Sequence, residues 1–329
     1  MGDAVTNDCV ACGCPVSVPR FHWPPFTLHA CRDCGTTQIV PLPDAEFLSH
    51  YYDREYAIVA ESERADLRAR AERYPDTPRI VRLLRRLAPR ARRVAEVGCA
   101  YGYLLWGLRE AGYEVTGYEL SRTTAAAGRE VLGLPIQALS LPGGDERFDA
   151  IVIRHVLEHF RDPGAALDQL VRSLTVGGVL VLATPNPESV SARLFGREWE
   201  WMSPPAHLHL FTARGLKRAL ERRGFEVLEV ETRRGDARPF GFALLRWLAV
   251  RVGAKRALTQ RLGTFGPDAT AVGLESRAAR AKRALLGSLS ALDRFASPLW
   301  WWAVRTGAGE ELWCVARRGE FPPQESPGR

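Results

Sequence analysis

Residues 92–113 read RRVAEVGCAYGYLLWGLREAGY, and this stretch decides the fold class of the chain. Its first seven residues form a largely apolar run that ends at Gly98, which predicts a buried strand entering a tight turn. Leu104, Leu105 and Leu108 then recur at helical spacing, so the turn opens into a helix. A strand, a glycine turn and a helix in this order are typical of the first unit of a parallel α/β sheet.

The rest of the chain continues this alternation of strands and helices. Strand patterns occupy 113–120, 135–138, 148–155, 178–185, 225–233 and 310–318, and helix patterns occupy 121–132 and 162–174. We therefore predict an α/β fold, a doubly wound Rossmann-like sheet of seven strands. In such a sheet the ligand lies beyond the carboxyl ends of the strands, at the point where the strand order reverses.

Length and composition set the class of protein. The chain has 329 residues, 46% of them hydrophobic, which is enough for one large domain with a small appendage. It has no run of about 18 apolar residues and no secretory signal pattern at its start, so we expect a cytoplasmic protein. The net charge of +7 is concentrated in 64–93 and 236–305. Such regions are usually solvated helix faces, but they leave an anionic partner open.

Two copies of the pattern CxxCG, eighteen residues apart, stand near the start of the chain. The four cysteines are Cys9, Cys12, Cys31 and Cys34. A cytosolic chain keeps its thiols reduced, so this spacing predicts a zinc ribbon rather than disulfides. Because the protein supplies all four ligands, the zinc would be structural. Cys14 is a second candidate for the ligand position of Cys12, but it does not complete the CxxCG repeat. The alternative to zinc binding is a redox or disulfide role for these cysteines.

The glycine turn also raises the question of a nicotinamide cofactor. The turn EVGCAYG (96–102) is followed by an acid, Glu119, at the end of the next strand. A dinucleotide-binding enzyme shares this arrangement, but its GxGxxG pattern needs glycine where Ala100 and Tyr103 stand. A tyrosine at the last position would block the close approach of the helix. The pattern therefore argues against nicotinamide binding.

On these residues, 50–235 resembles the class I S-adenosylmethionine (SAM) methyltransferases, in particular the group of ubiquinone-biosynthesis O-methyltransferases and zinc-ribbon-bearing sugar C-methyltransferases. The resemblance implies that the turn at 98–102 approaches the methionine end of SAM and that Glu119 accepts hydrogen bonds from both ribose hydroxyls. A carboxylate has the two acceptors that a vicinal diol requires. The alternative interpretation is that Glu119 is an exposed acid at a strand end without a role in cofactor binding.

Other cofactor contacts follow from the same resemblance. The family's acidic pair before Leu-Pro is missing, which leaves Leu139 and backbone amides for the adenine. The aromatic segment 51–56 resembles one that lies over SAM in the family, or it is a linker helix packing on the domain. The predicted cofactor-binding residues are Tyr56, Glu96, Gly98, Cys99, Ala100, Gly102, Glu119, Leu120, Leu139 and Arg154.

Titratable side chains follow the strand at 148–155. His155, Glu158 and His159 stand at i, i+3 and i+4, which predicts one face of a starting helix. Methyl transfer from a sulfonium needs positioning of the acceptor and, for a hydroxyl, removal of a proton. The cluster is a base with its orienting partners or, as the resemblance implies, a divalent-metal site, although the family usually carries an acid at the position of His155. Helix capping is the structural alternative.

A second histidine pair lies in PPAHLHLFT (204–212), which resembles the family's acceptor-facing HLHxFT segment. Alternation places His207 and His209 on the same side of an extended loop, with Thr212 as the N-cap of the next helix. At least one of them is expected to face the acceptor, and the alternative is that they hold the loop. The predicted catalytic residues are His155, Glu158, His159, His207 and His209.

An insertion at 236–308 separates the last two strands. Its Trp and Leu residues alternate with Arg and Lys, as in helices that lie in a lipid interface, although a helical lid or dimer surface gives the same pattern. We therefore expect a small or lipid-linked acceptor and a peripheral position at the inner face of an anionic membrane. The pattern is also compatible with an oligomer. Nucleic acid is not favoured, because the strand ends in TPNPE rather than the Asn-Pro-Pro-aromatic motif of base N-methyltransferases.

The expected organisation has six segments. They are a zinc ribbon (1–45), a helical linker covering the SAM site (46–91), the methyltransferase core (92–235), the helical insertion (236–308), the closing strand (309–318) and a disordered tail (319–329). The leading interpretation is O-methylation of a hydroxyl on a glycan or quinone-like precursor. C-methylation of a nucleotide-activated sugar, RNA methylation and a non-catalytic SAM-fold scaffold are the alternatives.

Overall fold

The computed structural model describes residues 8–55, 66–234, 244, 247–248, 251 and 297–320. In chain order the strands are β1 (Val16–Trp23), β2 (Phe26–Cys31), β3 (Thr37–Val40), β4 (Arg93–Val97), β5 (Glu114–Tyr118), β6 (Ile136–Gln137), β7 (Phe148–Arg154), β8 (Leu174–Pro185), β9 (His209–Leu210), β10 (Phe225–Arg233) and β11 (Glu311–Arg318). The helices are α1 (Ala45–Glu55), α2 (Leu67–Glu72), α3 (Thr77–Leu87), α4 (Tyr103–Glu110), α5 (Arg122–Leu132), α6 (Pro163–Ser173), α7 (Val190–Phe195), α8 (Ala213–Glu221) and α9 (Ser297–Arg305), with 3₁₀ turns at Leu157–His159 and Gly196–Glu198.

Seven strands form the main sheet, in the order β10-β11-β8-β7-β4-β5-β6. The pairs β4–β5, β4–β7, β5–β6 and β7–β8 are parallel. Such strands are buried on both faces, which is why β7 is an almost continuous apolar run with Ile151, Val152 and Ile153 fully buried. The chain moves outward from β4 in both directions, so the switch point lies between β4 and β7. The predicted fold class is confirmed.

A second sheet of four strands has the order β1-β2-β3-β9. Its first three strands form an antiparallel meander. The fourth strand comes from the HLHLFT segment far along the chain. Thr37 pairs with Leu210, and Gln38 pairs with His209. The cysteine-rich start of the chain is therefore tied to a segment predicted to face the acceptor.

Two compact units divide the chain. One contains Met1–Pro185, Pro204–Val230 and Trp313–Arg329, and the other contains Asn186–Ser203 and Glu231–Leu312. The cysteine module and most of the catalytic core therefore share one unit. In the second unit, buried Glu310 accepts hydrogen bonds from Trp199 Nε1 at 3.2 Å and from the Ser191 amide at 3.3 Å.

Part of the predicted organisation lies outside the described residues. The insertion is seen as helix at α9 and at positions 244, 247, 248 and 251, while its remainder and the tail at 321–329 are not described. Within the described parts of the chain, every helix is too short or too polar to cross a bilayer. The six segment boundaries stay predictions.

Candidate active site

The turn after β4 is built from three left-handed residues. Gly98 and Gly102 have φ angles of +70° and +84°, and between them Ala100 has φ of +48°. This region costs a residue with a Cβ roughly 1–2 kcal/mol. The Ala100 amide donates a hydrogen bond to Glu119 Oε2 at 3.0 Å, which holds the strained residue in place. The sequence pattern identified the two glycines but not the third left-handed position.

Glu119 lies at the carboxyl end of β5, as predicted. Its Oε1 accepts from the Ser121 amide at 2.8 Å, and partial burial raises its pKa above the usual value for a glutamate. Leu120 and Leu139 are 63% and 49% exposed, so both present apolar surface at this edge. Cys99 is buried, which leaves only its backbone for a cofactor. Predicted contact Tyr56 lies outside the described residues.

Beneath the turn lies the buried carboxylate of Glu96. No hydrogen-bond donor reaches its Oε2 among the residues that the structure describes. Burial raises the pKa of Glu96 to about 8, although the positive charge of Arg154 acts in the opposite direction. Arg154 itself lies 2.6 Å from Asp76 Oδ2 and donates to the hydroxyl of Tyr74. Its guanidinium therefore already has strong partners apart from any cofactor.

The segment after β7 is not the continuous helix that the spacing predicted. His155 has φ of +52°, the 3₁₀ turn covers Leu157–His159, and α6 starts only at Pro163. The reason is local, because Asp162 caps α6 and Pro163 occupies its first turn. The prediction of a single helical face is therefore wrong, and the side chains are gathered by a tight turn instead.

Glu158, His159 and His207 come together in this turn. Each offers a ligand atom within 4.8 Å of the other two, and the two imidazole rings lie 4.8 Å apart. His159 Nδ1 lies 2.8 Å from the carbonyl oxygen of Ala206. A carbonyl can only accept, so Nδ1 carries the proton and Nε2 keeps its lone pair. The group that could bind a metal contains His159 and His207 beside Glu158. We had predicted His155 in place of His207.

Glu158 is fully buried within this group. Burial by itself raises a carboxyl pKa, but the neighbouring imidazoles of His155, His159 and His207 outweigh it and hold the pKa of Glu158 at about 2. Its Oε2 accepts from the Thr184 hydroxyl at 3.1 Å, and its Oε1 lies 3.5 Å from His155 Nδ1. Thr184 was missed by the sequence reasoning, although its place at the end of the strand beside β7 is a signal that points to it.

His209 is not part of this group. It lies in β9, it is 1% exposed, and burial lowers its pKa to about 4. The backbone of Arg161 and Phe160 acts in the opposite direction on this pKa but does not outweigh burial. The structure therefore separates two histidines that the sequence treated alike, with His207 in the group and His209 in the sheet of the cysteine module.

The turn after β4 and the group after β7 are in direct contact. Val156, between His155 and Glu158, packs onto Gly98, where an added Cβ would lie 2.1 Å from Val156 Cγ2. Only glycine fits there. The left-handed turn and the carboxylate–imidazole group therefore lie on either side of one close packing contact, at the switch point of the sheet.

The four predicted zinc ligands converge. Cys9 Sγ lies 3.5 Å from Cys34 Sγ, and Cys12 Sγ lies 3.5 Å from Cys31 Sγ, with all four side chains buried. A tetrahedron with Zn–S bonds of about 2.3 Å has edges of about 3.8 Å, so the spacing fits zinc. Contact with Cys34 and burial raise the pKa of Cys9, burial raises that of Cys31, and the contact with Cys9 lowers that of Cys34. A cation among the four sulfurs would favour the thiolate form of each.

Comparisons with known proteins agree with this geometry. Residues 67–230, about half of the chain, match a family model described as a methyltransferase domain. The chain is 33% identical to the ubiquinone biosynthesis O-methyltransferase of Alkalilimnicola ehrlichii, over 36% of this chain and 52% of that protein. The chain is 31% identical to the enzyme of the same name from Cereibacter sphaeroides, over 35% of this chain and 51% of that protein.

The matched segment thus spans about half the length of these relatives. Among solved structures, a SAM-dependent methyltransferase from Archaeoglobus fulgidus aligns with a TM-score of 0.43 and 18% identity, covering 73% of this chain and 94% of that one. Family match, relatives and seven-stranded sheet agree: the chain belongs to the class I SAM-dependent methyltransferases.

Proposed function

We propose that this methyltransferase transfers the methyl group of SAM to a hydroxyl oxygen of a small or lipid-linked acceptor. The observation that carries the proposal is the group formed by Glu158, His159 and His207 next to the glycine turn. In the proposed reaction this group supplies the proton acceptor that a hydroxyl substrate requires.

The cofactor is proposed to bind along the carboxyl ends of β4 and β5. Glu119 has lone pairs left for the ribose diol after its two backbone hydrogen bonds. Leu120 and Leu139 offer exposed apolar surface to the adenine. The free Oε2 of Glu96 is suited to the α-ammonium of the methionine moiety, which would supply the positive partner that this buried oxygen lacks.

His159 is the proposed general base. Its Nδ1–H donates to the Ala206 carbonyl, so Nε2 is the ring nitrogen that would take the proton, and ionised Glu158 stabilises the imidazolium that forms. The acceptor oxygen attacks the methyl carbon, the C–S bond breaks, and its electrons return to sulfur to give S-adenosylhomocysteine. The hydroxyl proton moves to His159 Nε2. Charge is balanced, because the sulfonium becomes neutral as the histidine becomes cationic.

The same side chains fit a divalent cation. The donors are one buried carboxylate and two imidazoles, and the hydrogen bond from His159 Nδ1 to a carbonyl is typical of metal-binding histidines. A bound cation would lower the pKa of a coordinated hydroxyl. In either case Glu158 supplies negative charge, and the Ala206 carbonyl fixes the His159 ring.

Two observations support the acceptor class. The relatives are named for O-methylation in ubiquinone biosynthesis, which favours a phenolic or quinone-like hydroxyl. Helix α9 exposes Trp301 and Trp302 by 62% and 52%, and the Arg305 guanidinium lies 3.8 Å over the Trp301 ring. Exposed indoles beside a cation favour contact with a membrane interface, where a lipid-linked acceptor would be found.

The test is a methyl-transfer screen with polyprenyl-substituted catechols, lipid-linked glycans and nucleotide sugars. We expect S-adenosylhomocysteine together with an acceptor that gains one methyl group on oxygen. His159→Ala should lower kcat by about 10²–10⁴ while leaving cofactor affinity unchanged. His22→Ala is the control, since His22 is exposed on the hairpin. A product methylated on carbon would replace this proposal with C-methylation, and binding of SAM without any transfer would contradict both.

A second assay distinguishes a general-base histidine from a bound divalent cation. If a cation takes part, EDTA should abolish turnover and Mg²⁺ or another divalent cation should restore it. If His159 acts alone as the base, turnover should survive EDTA and should not depend on added divalent cation.

A further inference from the structure

The four-cysteine module is connected to the candidate active site through Leu208 of the HLHLFT segment (207–212). The Leu208 amide donates to the backbone oxygen of Glu158 at 2.9 Å, and the Leu208 carbonyl accepts from the Ile39 amide of β3 at 3.0 Å. Leu208 follows His207 directly and is fully buried. The backbone that carries His207 is therefore held between Glu158 and the cysteine module.

Gln38 extends this connection to the first cysteine knuckle. Its backbone pairs with His209, while its side-chain amide donates to the Asp8 carbonyl at 3.4 Å and accepts from the Val10 amide at 3.3 Å. These two residues flank Cys9. A change at the first knuckle therefore reaches β9 through a single side chain.

The second knuckle is anchored to α8, which follows the same segment. The Thr212 hydroxyl donates to the Cys34 carbonyl at 2.6 Å while it accepts from the Gly215 amide as the helix cap. Asp33 lies 2.9 Å from Arg214 Nη2 and also pairs with Arg218. Both ends of the segment from His207 to Thr212 therefore depend on the cysteine module.

From these contacts we infer that the cysteine module is a positioning element for the acceptor side of the active site. When it is folded around its cation it fixes β9, and through β9 it places His207 beside Glu158 and His159. The hydrogen bonds described above lead from the module to β9 and α8, so its loss should affect methyl transfer more than cofactor binding. The predicted effect on methyl transfer rests on the proposed function, whereas the predicted effect on the structure of the segment 204–212 does not.

Gly215 allows the contact to be broken without touching a cysteine. It packs against Thr36, and an added Cβ would lie 1.9 Å from Thr36 Oγ1, 3.2 Å from Thr212 Oγ1 and 3.3 Å from Thr36 Cβ, so the Thr36 hydroxyl is the severe clash. Gly215→Ala should therefore push the module off α8, and the double variant Thr36→Ala/Gly215→Ala should restore the fit. Gly143→Ala is the control, since a Cβ there meets nothing within 4 Å.

The experiment measures hydrogen exchange of the segment 204–212 in the zinc-loaded full chain. Gly215→Ala should speed exchange there by about tenfold or more, with 148–154 unchanged as evidence that the core is folded. Its kcat should fall by roughly 10²-fold while the Kd for S-adenosylhomocysteine stays within about twofold, because a small displacement of a catalytic group lowers the rate and not cofactor binding. The double variant should recover both readouts.

Asp33→Asn provides a second variant that adds no volume and keeps all four thiols. It should speed exchange of 204–212 in the same direction by a smaller factor. Unchanged exchange in both variants with normal zinc content would overturn the positioning role, even if the enzyme transfers methyl groups. If the wild type transfers none, the exchange data still decide the positioning role, so the two failures are distinguishable.

Discussion

The cofactor side and the acceptor side of this active site are built in different ways. The cofactor side uses neighbouring segments of chain, the turn at 96–102 and the acid that ends the next strand. The acceptor side gathers Glu158, His207 and β3 of the cysteine module, which are far apart in the sequence. Local sequence therefore specifies the proposed cofactor site, whereas tertiary contacts assemble the proposed acceptor group. Variants on the two sides should separate cofactor affinity from turnover.

The largest expected effect is on the acceptor side. Glu158→Gln should lower kcat by about 10²–10⁴, because an ionised carboxylate that stabilises the imidazolium or binds a cation is replaced by a neutral amide. The Kd for S-adenosylhomocysteine, measured by calorimetry, should not change. Glu226→Gln, at an exposed position of edge strand β10, serves as control. A variant that loses cofactor binding and turnover together would show that the two sides are not separable.

Glu119→Ala should have the opposite pattern. Loss of a charged hydrogen-bond acceptor should weaken SAM binding by about 1.5–3 kcal/mol, since the ribose hydroxyls and the Ala100 amide both lose their partner. At saturating SAM, kcat should stay close to the wild-type value. Glu114→Ala, at the exposed start of β5, is the control. Normal SAM affinity in the variant would place the ribose elsewhere.

The buried carboxylate of Glu96 predicts a pH dependence confined to the cofactor side. Without cofactor, its pKa of about 8 means that the folded protein keeps a proton which the unfolded chain loses near 4.5. This group therefore makes the free protein less stable as pH rises from 4.5 towards 8, because a raised acid pKa favours the protonated folded state only at lower pH.

Cofactor binding should shift this equilibrium. The α-ammonium favours ionised Glu96, so binding releases a proton and the Kd should fall by up to about tenfold per pH unit between about pH 6 and pH 8. Calorimetry across this range measures it. Glu96→Gln should remove the dependence, and a wild-type Kd that does not vary with pH would refute the proposed contact.

The smallest effect concerns access of the acceptor. Trp301→Ala should weaken binding to anionic vesicles by about 1 kcal/mol, and binding should decrease as salt rises. Leu194→Ala, which removes another exposed apolar side chain, is the control. Sedimentation with phosphatidylserine vesicles measures it. If no vesicle binding is found at low salt, the exposed tryptophans face protein and the lipid-linked acceptor loses its structural support.

Much of the fold could be predicted because its signals are local. The apolar runs of β4 and β7, the Thr212 cap and the two CxxCG knuckles each lie within a few residues and occur where expected. The predicted helix at 155–159 was wrong, since His155 has a positive φ and α6 begins only at Pro163, after its Asp162 cap.

The sequence by itself determined the sheet, the glycine turn with Glu119 and the four thiols, because periodicity and spacing encode these directly. Only the tertiary structure decided which histidines meet. His207 and His209 are the same residue type in the same short motif. Pairing of β9 with β3 nevertheless buries His209 and leaves His207 beside Glu158 and His159. The physical reason is that a two-residue strand takes its partner from long-range hydrogen bonds, which no short stretch of sequence records.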